Sequence, residues 1–325
     1  MVLVLSEAEV RDALDLESLV SVVGEGLEKQ AAGEVERPDR PHYPVGEGLD
    51  GDEALGTGIA MPAYIHGDDQ YVTKLVGVHE GNEERGLPTI HAQIVLTAAR
   101  TGVPEALLAG TTITNARTGC VGALAVRDLA PDAATLGVFG AGAQARWQTR
   151  AIDTVTDLDD VRIYSPSDSR EACAADLDSE GIPARAVASP AEAVEGADAV
   201  VTATTATEPV FPADALSPGT LVVAIGAFTA EMQELDPAVL EGAERVFADV
   251  PAEVAGIGDI QATGLTADDL VPMGEMLAEG YERASPEGVL VVDSVGSATM
   301  DAAASTAIYE RARDAGAGVD VSLGR

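Results

Sequence analysis

A glycine loop between a strand pattern and a helix pattern constrains the fold of this chain most strongly. Residues 135–140, TLGVFG, form a continuous apolar run of the kind that a parallel sheet buries on both faces. A helical pattern follows over residues 141–155. Gly140, Gly142 and Ala145 fit the Gly-x-Gly-x-x-Ala spacing, in which small residues let the backbone approach a pyrophosphate at a helix N-terminus. This context favours dinucleotide binding over the alternative, a tight turn that binds nothing.

Strand and helix patterns continue to alternate beyond this loop. A helix pattern covers residues 169–181, and strand patterns cover 161–165, 184–187, 197–204, 219–227, 244–250 and 288–296. Strands that alternate with helices in this way are typical of a parallel sheet with helices on both faces. The fold class that we predict is α/β, with a doubly wound Rossmann domain over residues 118–297.

The N-terminal part has a different pattern. Residues 37–70 are rich in proline and glycine, and the strand patterns that follow cover 71–79, 89–99 and 106–114. These features predict a mostly β unit built as a meander. We expect the last helix pattern, residues 298–316, to pack back on this unit. The predicted substrate and dimerisation domain is therefore discontinuous and comprises residues 1–117 and 298–325.

The charge of the chain is extreme. It has 55 acidic and 19 basic residues, a net charge of −36, and only 3% aromatic residues. The acids are spread over every segment, which fits a solvated surface adapted to high salt better than a docking surface for a basic partner. Nucleic-acid binding needs basic patches that this chain lacks. No apolar run reaches the ~18 residues of a membrane span, and no signal-peptide pattern is present. We expect a cytoplasmic protein without nucleic-acid or membrane partners.

The residues that commonly bind metals show no suitable spacing. The two cysteines, Cys120 and Cys173, lie far apart and form no Cys-x-x-Cys motif, so a buried structural role is expected for each. The histidines are likewise scattered, at His42, His66, His79 and His91. We predict no metal site.

Lys74, one of only two lysines, lies within the apolar run 71–79. A lysine retained there is a candidate acid/base group, because partial desolvation lowers the pKa of an amine. The alternative is an edge charge with a surface partner. Arg37 and Arg40 upstream, and Arg117 before the nucleotide domain, are candidates to bind a carboxylate with both guanidinium arms. For Arg117, an ordinary surface ion pair is the alternative.

The second strand of the Rossmann pattern bears on the choice of cofactor. It ends at Ser165, where the fingerprint of NAD-binding domains has an acidic residue for the ribose 2′-hydroxyl. Ser165, Ser167 and Arg170 can instead receive a 2′-phosphate, although Asp168 can still approach the ribose. The predicted cofactor is therefore NAD or NADP, with a slight preference for NADP.

Motifs along nearly the whole chain resemble those of the ornithine cyclodeaminase/mu-crystallin family. The resemblance is specific because the motifs occur in order and at the family's separations. They are MPAY at 61–64, Lys74 with Asn82 and Gly86, TG at 101–102, ITNARTG at 113–119, GAGAQ at 140–144, AIGAFTAEMQELD at 224–236 and SVGSATMD at 294–301.

The resemblance implies a two-domain enzyme that dimerises through its β-rich domain and binds NAD(H) or NADP(H). By the family pattern, Lys74 is the acid/base group, Arg40 and Arg117 bind the substrate carboxylate, and Met61 belongs to the substrate site. The cofactor residues expected from the pattern and the glycine loop together are Thr118, Gly140, Gly142, Ala143, Gln144, Ser165, Ser167, Arg170, Thr204, Gly226 and Phe228.

Two positions depart from the cyclodeaminases of the family. Those members are similar to one another in having an Asp where this chain has Phe228, and an acid where it has Ile59. Without these carboxylates a diamine is a poor substrate, and Phe228 would form an apolar wall for a small side chain. We predict an NAD(P)-dependent oxidoreductase that interconverts a small L-amino acid and its 2-oxo or imino acid. Ornithine cyclodeaminase activity and a non-catalytic NADPH-binding role are the alternatives.

Overall fold

The computed structural model describes residues 1–49 and 51–323. The strands are β1 (Val2–Leu5), β2 (Val35–Glu36), β3 (His42–Val45), β4 (Gly56–Ile65), β5 (Gln70–Val78), β6 (Ile90–Ala98), β7 (Pro104–Ala109), β8 (Thr135–Phe139), β9 (Asp160–Tyr164), β10 (Ala184–Ala186), β11 (Ala199–Thr202), β12 (Leu221–Ala224), β13 (Arg245–Ala248), β14 (Val271–Pro272), β15 (Leu290–Asp293) and β16 (Val319–Val321). The α-helices are α1 (Glu7–Ala13), α2 (Leu16–Ala31), α3 (Gly110–Leu129), α4 (Ala143–Asp153), α5 (Ser169–Ser179), α6 (Pro190–Val194), α7 (Pro237–Gly242), α8 (Pro251–Val254), α9 (Gly258–Gln261), α10 (Met273–Glu279) and α11 (Ala298–Asp314).

The chain divides into two compact units. Unit 1 comprises Met1–Asp15, Gly33–Arg117 and Ala298–Arg325, and unit 2 comprises Leu16–Ala32 and Thr118–Ser297. The predicted domain limits differ from this division at one helix. Helix α2 belongs to unit 2, where it packs against α10, and Gly274 permits this contact because a Cβ there would overlap the carbonyl oxygen of Leu27.

Unit 2 contains a parallel sheet with the strand order β10-β9-β8-β11-β12-β15-β13-β14. Every residue of β11, β12 and β15 is buried, as expected for apolar runs covered on both faces. The strand order reverses between the neighbours β8 and β11. Parallel sheets bind ligands at the carboxyl ends of the strands at such a reversal.

Unit 1 contains a sheet with the order β16-β1-β7-β6-β5-β4-β2, and β3 pairs with β4. The pairs from β4 to β7 are antiparallel, whereas β1 and β7 are parallel. Helix α11 packs against β4, β5 and β6 within this unit. A chain with one Rossmann unit and one mostly β unit is the fold class that the sequence predicts, and the solved relatives described below confirm it.

The strand pattern at residues 106–114 is only partly correct. Strand β7 ends at Ala109, and helix α3 begins at Gly110. A Cβ at Gly110 would lie 2.9 Å from the carbonyl carbon of Ala92, so the chain turns closely over β6. Thr111 then accepts a hydrogen bond from the backbone N–H of Ala92. This tertiary contact outweighs the β propensity of the threonines that follow Gly110.

Within residues 1–49 and 51–323, no helix is both long and apolar enough to cross a membrane.

Candidate active site

Lys74 lies on β5, inside the sheet of unit 1. Strands β4 and β6 flank it, and Met61 and Ile94 stand directly opposite Lys74 in the two ladders. All three side chains are buried, with Lys74 only 2% exposed. An edge-strand charge with a surface partner is therefore the wrong interpretation of this lysine.

Asp301, in the first turn of α11, joins the two cations that the sequence singled out. Its Oδ2 atom lies 2.6 Å from Lys74 Nζ, and its Oδ1 atom accepts a hydrogen bond of 2.9 Å from Arg117 Nε. Arg117 is 4% exposed, so it is not a surface ion-pair partner. Buried charges persist when they are paired in this way. Asp301 ends the motif SVGSATMD but carries no predicted role, although a lone acid in a run of small residues is a signal for a buried charge.

The pKa values of this cluster follow from burial and from the neighbouring charges. The pKa of Lys74 is lowered to about 8, chiefly by burial, while Asp301 acts to raise it and the charges of Arg117 and Arg40 act with burial to lower it. Burial acts to raise the pKa of Asp301, but Arg117 and Lys74 outweigh it and hold this pKa below its usual value. Asp301 therefore stays a carboxylate, while Lys74 can take up and release a proton near neutral pH.

The same cluster can bind an anion. Within the described part of the chain, Arg117 Nη1 is buried and has no hydrogen-bond partner. An unpaired buried donor costs free energy, so a ligand oxygen that accepts at this atom is favoured. Arg37 and Arg40 are both half-buried, and the charge of Arg40 acts on Lys74. This favours Arg40 as the second arginine of a carboxylate site.

The glycine loop of unit 2 can accept the pyrophosphate of a dinucleotide. Gly140 has a φ of +104°, and a Cβ there would overlap the carbonyl oxygen of Ala203. Gly142 is the N-cap of α4, and no described atom lies within 4 Å of the position of its missing Cβ. Ala143 and Gln144 open the helix, whose N-terminal N–H groups and dipole favour a phosphate.

Glu234 joins the carboxyl ends of β11 and β12. Its carboxylate accepts hydrogen bonds from the backbone N–H of Thr204 at 2.6 Å and of Gly226 at 2.7 Å, and from the hydroxyl of Thr202 at 3.0 Å. A Cβ at Gly226 would overlap the carbonyl oxygen of Thr204. Thr204 and Gly226, both predicted cofactor residues, are thus brought together by an acid that the sequence analysis did not assign.

Serine hydroxyls cluster at the end of β9. Ser167 and Ser169 lie 2.7 Å apart between their Oγ atoms, and each lies 3.4 Å from Ser165 Oγ. Arg170 donates to the carbonyl oxygens of Ser165 at 2.9 Å and of Ser167 at 3.2 Å, and pairs with Glu171. The structure thus brings together the three residues proposed for a 2′-phosphate.

Two further predicted cofactor residues lie elsewhere in unit 2. Thr118, on α3, is nearly buried, and its carbonyl oxygen accepts a hydrogen bond of 2.7 Å from Gln148 Nε2. Phe228 follows β12, and its side chain is 53% exposed, so a ligand can reach it.

His, Cys, Asp and Glu side chains were the candidates for metal binding. The described ranges contain no group of three or more His, Cys, Asp or Glu residues able to hold a metal ion. Cys120 and Cys173 are both buried.

Comparison with known proteins gives the family. Residues 1–316 match the model of the ornithine cyclodeaminase/mu-crystallin family, and the chain belongs to it. It is 31% identical to the alanine dehydrogenase of Archaeoglobus fulgidus over 99% of each sequence. Two solved structures are also similar. One is the Thermococcus litoralis Δ1-pyrroline-2-carboxylate reductase in complex with NADH and L-proline, with a TM-score of 0.91 and 27% identity over 98% of this chain and 100% of that chain. The other is an archaeal alanine dehydrogenase dimer with bound NAD, with a TM-score of 0.90 and 28% identity over 99% of each chain.

The chain is similar over almost its full length to oxidoreductases of this family. The predicted family and the assignment as an NAD(P)-dependent oxidoreductase are confirmed by relatives that match over almost the full length of the chain. Bound NAD or NADH in the solved relatives also supports a nicotinamide dinucleotide as the cofactor.

Proposed function

We propose that this protein interconverts a small L-amino acid and its 2-oxo or imino acid, as an alanine dehydrogenase or a Δ1-pyrroline-2-carboxylate reductase does. The observation that carries the proposal is the buried cluster of Lys74, Arg117 and Asp301. It combines the amine of Lys74, which exchanges protons near neutral pH, with the guanidinium group of Arg117, whose Nη1 can donate a hydrogen bond to a ligand. A 2-imino acid needs both, because its carboxylate must be held while its nitrogen gains a proton.

Arg117 and Arg40 are the proposed ligands of the substrate carboxylate. Two arginines can bind a carboxylate through several charge-assisted hydrogen bonds, which orients it as well as attracting it. Met61 stands opposite Lys74 in the adjacent strand and is 5% exposed. Its apolar side chain suits a substrate with a small aliphatic or cyclic side chain.

Lys74 is the proposed proton donor and acceptor. In the reductive direction, hydride adds to the substrate C2 while the Lys74 ammonium gives a proton from Nζ to the imine nitrogen. In the oxidative direction, the neutral amine of Lys74 removes that proton. A pKa of about 8 populates both forms near neutral pH. The carboxylate of Asp301 holds the amine in place throughout the cycle.

The dinucleotide, when bound, supplies or accepts the hydride at C4 of its nicotinamide. Gly140 and Gly142 would admit its pyrophosphate at the N-terminus of α4, beside Ala143 and Gln144. Thr118, Thr204, Gly226 and Phe228 are proposed to line the remainder of the site. Ser165, Ser167 and Arg170 would receive a 2′-phosphate, which favours NADP, and NAD is the alternative because the solved relatives contain it.

Phe228 and Ile59 favour this reaction over ornithine cyclodeamination. The second ammonium group of a diamine needs a charged or polar partner when it is desolvated. Both positions are apolar here, where the cyclodeaminases resemble one another in having acids. Retention of Lys74 in a buried ion pair likewise favours an enzyme over a non-catalytic NADPH-binding protein.

We also propose a homodimer that forms through unit 1. The sheet face opposite Lys74 exposes Tyr71, Leu75 and Leu107, each between 37% and 38%. An exposed apolar sheet face is typical of an interaction surface. A solved relative is described as a dimer. The cytoplasmic location stays a prediction from the sequence.

The absorbance of the reduced nicotinamide in multimolar KCl tests the proposal. NADH and NADPH would each be followed with pyruvate plus ammonia and with Δ1-pyrroline-2-carboxylate. We expect net oxidation of one cofactor, and a kcat at least about 100-fold lower in Lys74→Ala, because the proton donor is lost. Lys29→Ala, at the other lysine, is the matched control and should keep full activity.

Ornithine is the substrate that distinguishes the proposed oxidoreductase from a cyclodeaminase. Release of ammonia from ornithine without net cofactor change would contradict the proposal and support the cyclodeaminase. Dinucleotide binding without turnover of any of these substrates would support the non-catalytic role.

A further inference from the structure

We propose that Glu234 is a positioning residue of the dinucleotide site: its buried carboxylate sets the spacing between the ends of β11 and β12, and Asp259 holds Glu234 in place. This inference rests on the proposed dinucleotide binding at these strand ends. Glu234 would act through Thr204 and Gly226, and it need not touch the ligand.

The carboxylate continues the sheet where the backbone ladder ends. The N–H of Ile225 donates to the carbonyl oxygen of Thr202, as in a regular parallel ladder. Beyond this bond, the N–H groups of Thr204 and Gly226 donate to the two oxygens of one carboxylate. Glu234 therefore bridges the two strand ends at the point where Gly226 passes against the carbonyl group of Thr204.

A second acid holds the segment that carries Glu234. Asp259, in the short helix α9, accepts the backbone N–H of Glu234 at 2.8 Å and of Leu235 at 2.7 Å, both through Oδ1. Glu234 and Asp259 are fully buried. Gly258 lets α9 approach this segment, because a Cβ there would overlap the carbonyl oxygen of Met232. Asp259 on α9 therefore holds Glu234 in place, and Glu234 in turn holds the ends of β11 and β12.

The charge on Glu234 is necessary for this role. Each oxygen accepts from a backbone N–H, and the ionised carboxylate carries only acceptors, whereas a proton or an amide nitrogen would place a donor beside these N–H groups. Burial raises the pKa of Glu234, whereas the hydrogen bonds from Thr204 and Gly226 oppose this. The other titratable groups around Glu234 are Asp259 on α9 and Asp293 on β15, whose pKa values burial raises, and Asp249, whose charge acts on Asp293. Dinucleotide affinity should therefore fall toward acid pH as Glu234 takes up a proton.

Equilibrium binding of NADPH and NADH to the full chain, without substrate, tests the inference. In Glu234→Gln we expect a Kd about 10-fold higher, because an amide N–H would face a backbone N–H. At saturating cofactor, kcat should stay within about twofold, since the residue does not touch the reacting atoms. The acid fall in affinity seen with the unaltered protein should be clearly smaller in the variant, in which only Asp259 and its neighbours still titrate. Glu231→Gln makes the same change at an exposed position of the same segment and should bind normally.

Thr202→Val is the second variant, because it removes one donor to Glu234 and keeps the volume of the side chain. We expect a smaller rise in Kd than in Glu234→Gln. If Glu234→Gln does not fold, Thr202→Val decides the question. Unchanged affinity in the folded variants, when the unaltered protein binds, overturns the inference alone. If the unaltered protein binds neither dinucleotide, the proposed function itself is contradicted.

Discussion

Three charged side chains, Lys74, Arg117 and Asp301, are buried together in unit 1. Lys74 is charged below its pKa of about 8 and neutral above it, whereas Asp301 is a carboxylate throughout the neutral range. Asp301 is the acid that keeps the amine basic enough to be protonated near neutral pH. A substitution of Asp301 should therefore change the pH dependence of the reaction.

Asp301→Asn should move the pH profile of the reductive reaction toward acid. The substitution removes the charge that raises the pKa of Lys74, so the pKa should fall below about 8. The reductive reaction needs the protonated amine, so kcat/KM should begin to fall at a lower pH than in the unaltered protein. The measurement is kcat/KM across the range in which Lys74 titrates. Asp314→Asn, an exposed acid at the end of the same helix, is the control.

An unchanged midpoint in Asp301→Asn would show that Lys74 is not the group that titrates. Rescue of the profile in Asp301→Glu would support a role for the charge itself.

In the glycine loop, one glycine is needed for the backbone conformation and the other leaves space in which a ligand could bind. Gly140 needs its φ of +104° and has no room for a Cβ, whereas Gly142 has a φ of −83° and open space. The two glycines are therefore retained for different reasons. Alanine substitutions can separate these reasons.

Gly140→Ala should lower the thermal midpoint and abolish dinucleotide binding, because strain of about 1–3 kcal/mol adds to the overlap with Ala203. Gly142→Ala should fold with a thermal midpoint near that of the unaltered protein, but bind the dinucleotide more weakly. Its Cβ would occupy space that a pyrophosphate needs. Thermal unfolding and the Kd of NADPH would be measured for both. Equal stability of Gly140→Ala and the unaltered protein would refute this division of roles.

The net charge of −36 belongs to the scale of the whole molecule. Like charges destabilise a compact state, and salt screens the repulsion between exposed groups. We expect the thermal midpoint to rise steeply between dilute and multimolar KCl. Sucrose at matched water activity should give a smaller rise, since it excludes volume without screening charge. A thermal midpoint independent of KCl would contradict the prediction of high-salt adaptation.

The elements and the ligand class follow from local patterns in the sequence. Apolar runs predict the parallel strands because a residue buried on both faces of a sheet must be apolar wherever it lies. The spacing of Gly140 and Gly142 predicts the loop because backbone conformation is a local property. The motifs around Lys74 and Arg117 likewise identify the family without a structure.

Contacts between distant segments could not be obtained in this way. Asp301 meets Arg117 across 184 positions of the chain, and Glu234 meets Thr202 across 32. Acids are so frequent in this sequence that their composition and charge alone do not separate the buried ones from the solvated majority. Burial does separate them, because a desolvated carboxylate persists only where the fold supplies cations or N–H groups to pair with it. The start of α3 at Gly110 and the packing of α2 in unit 2 also depend on contacts between distant segments, with Ala92 and with Gly274.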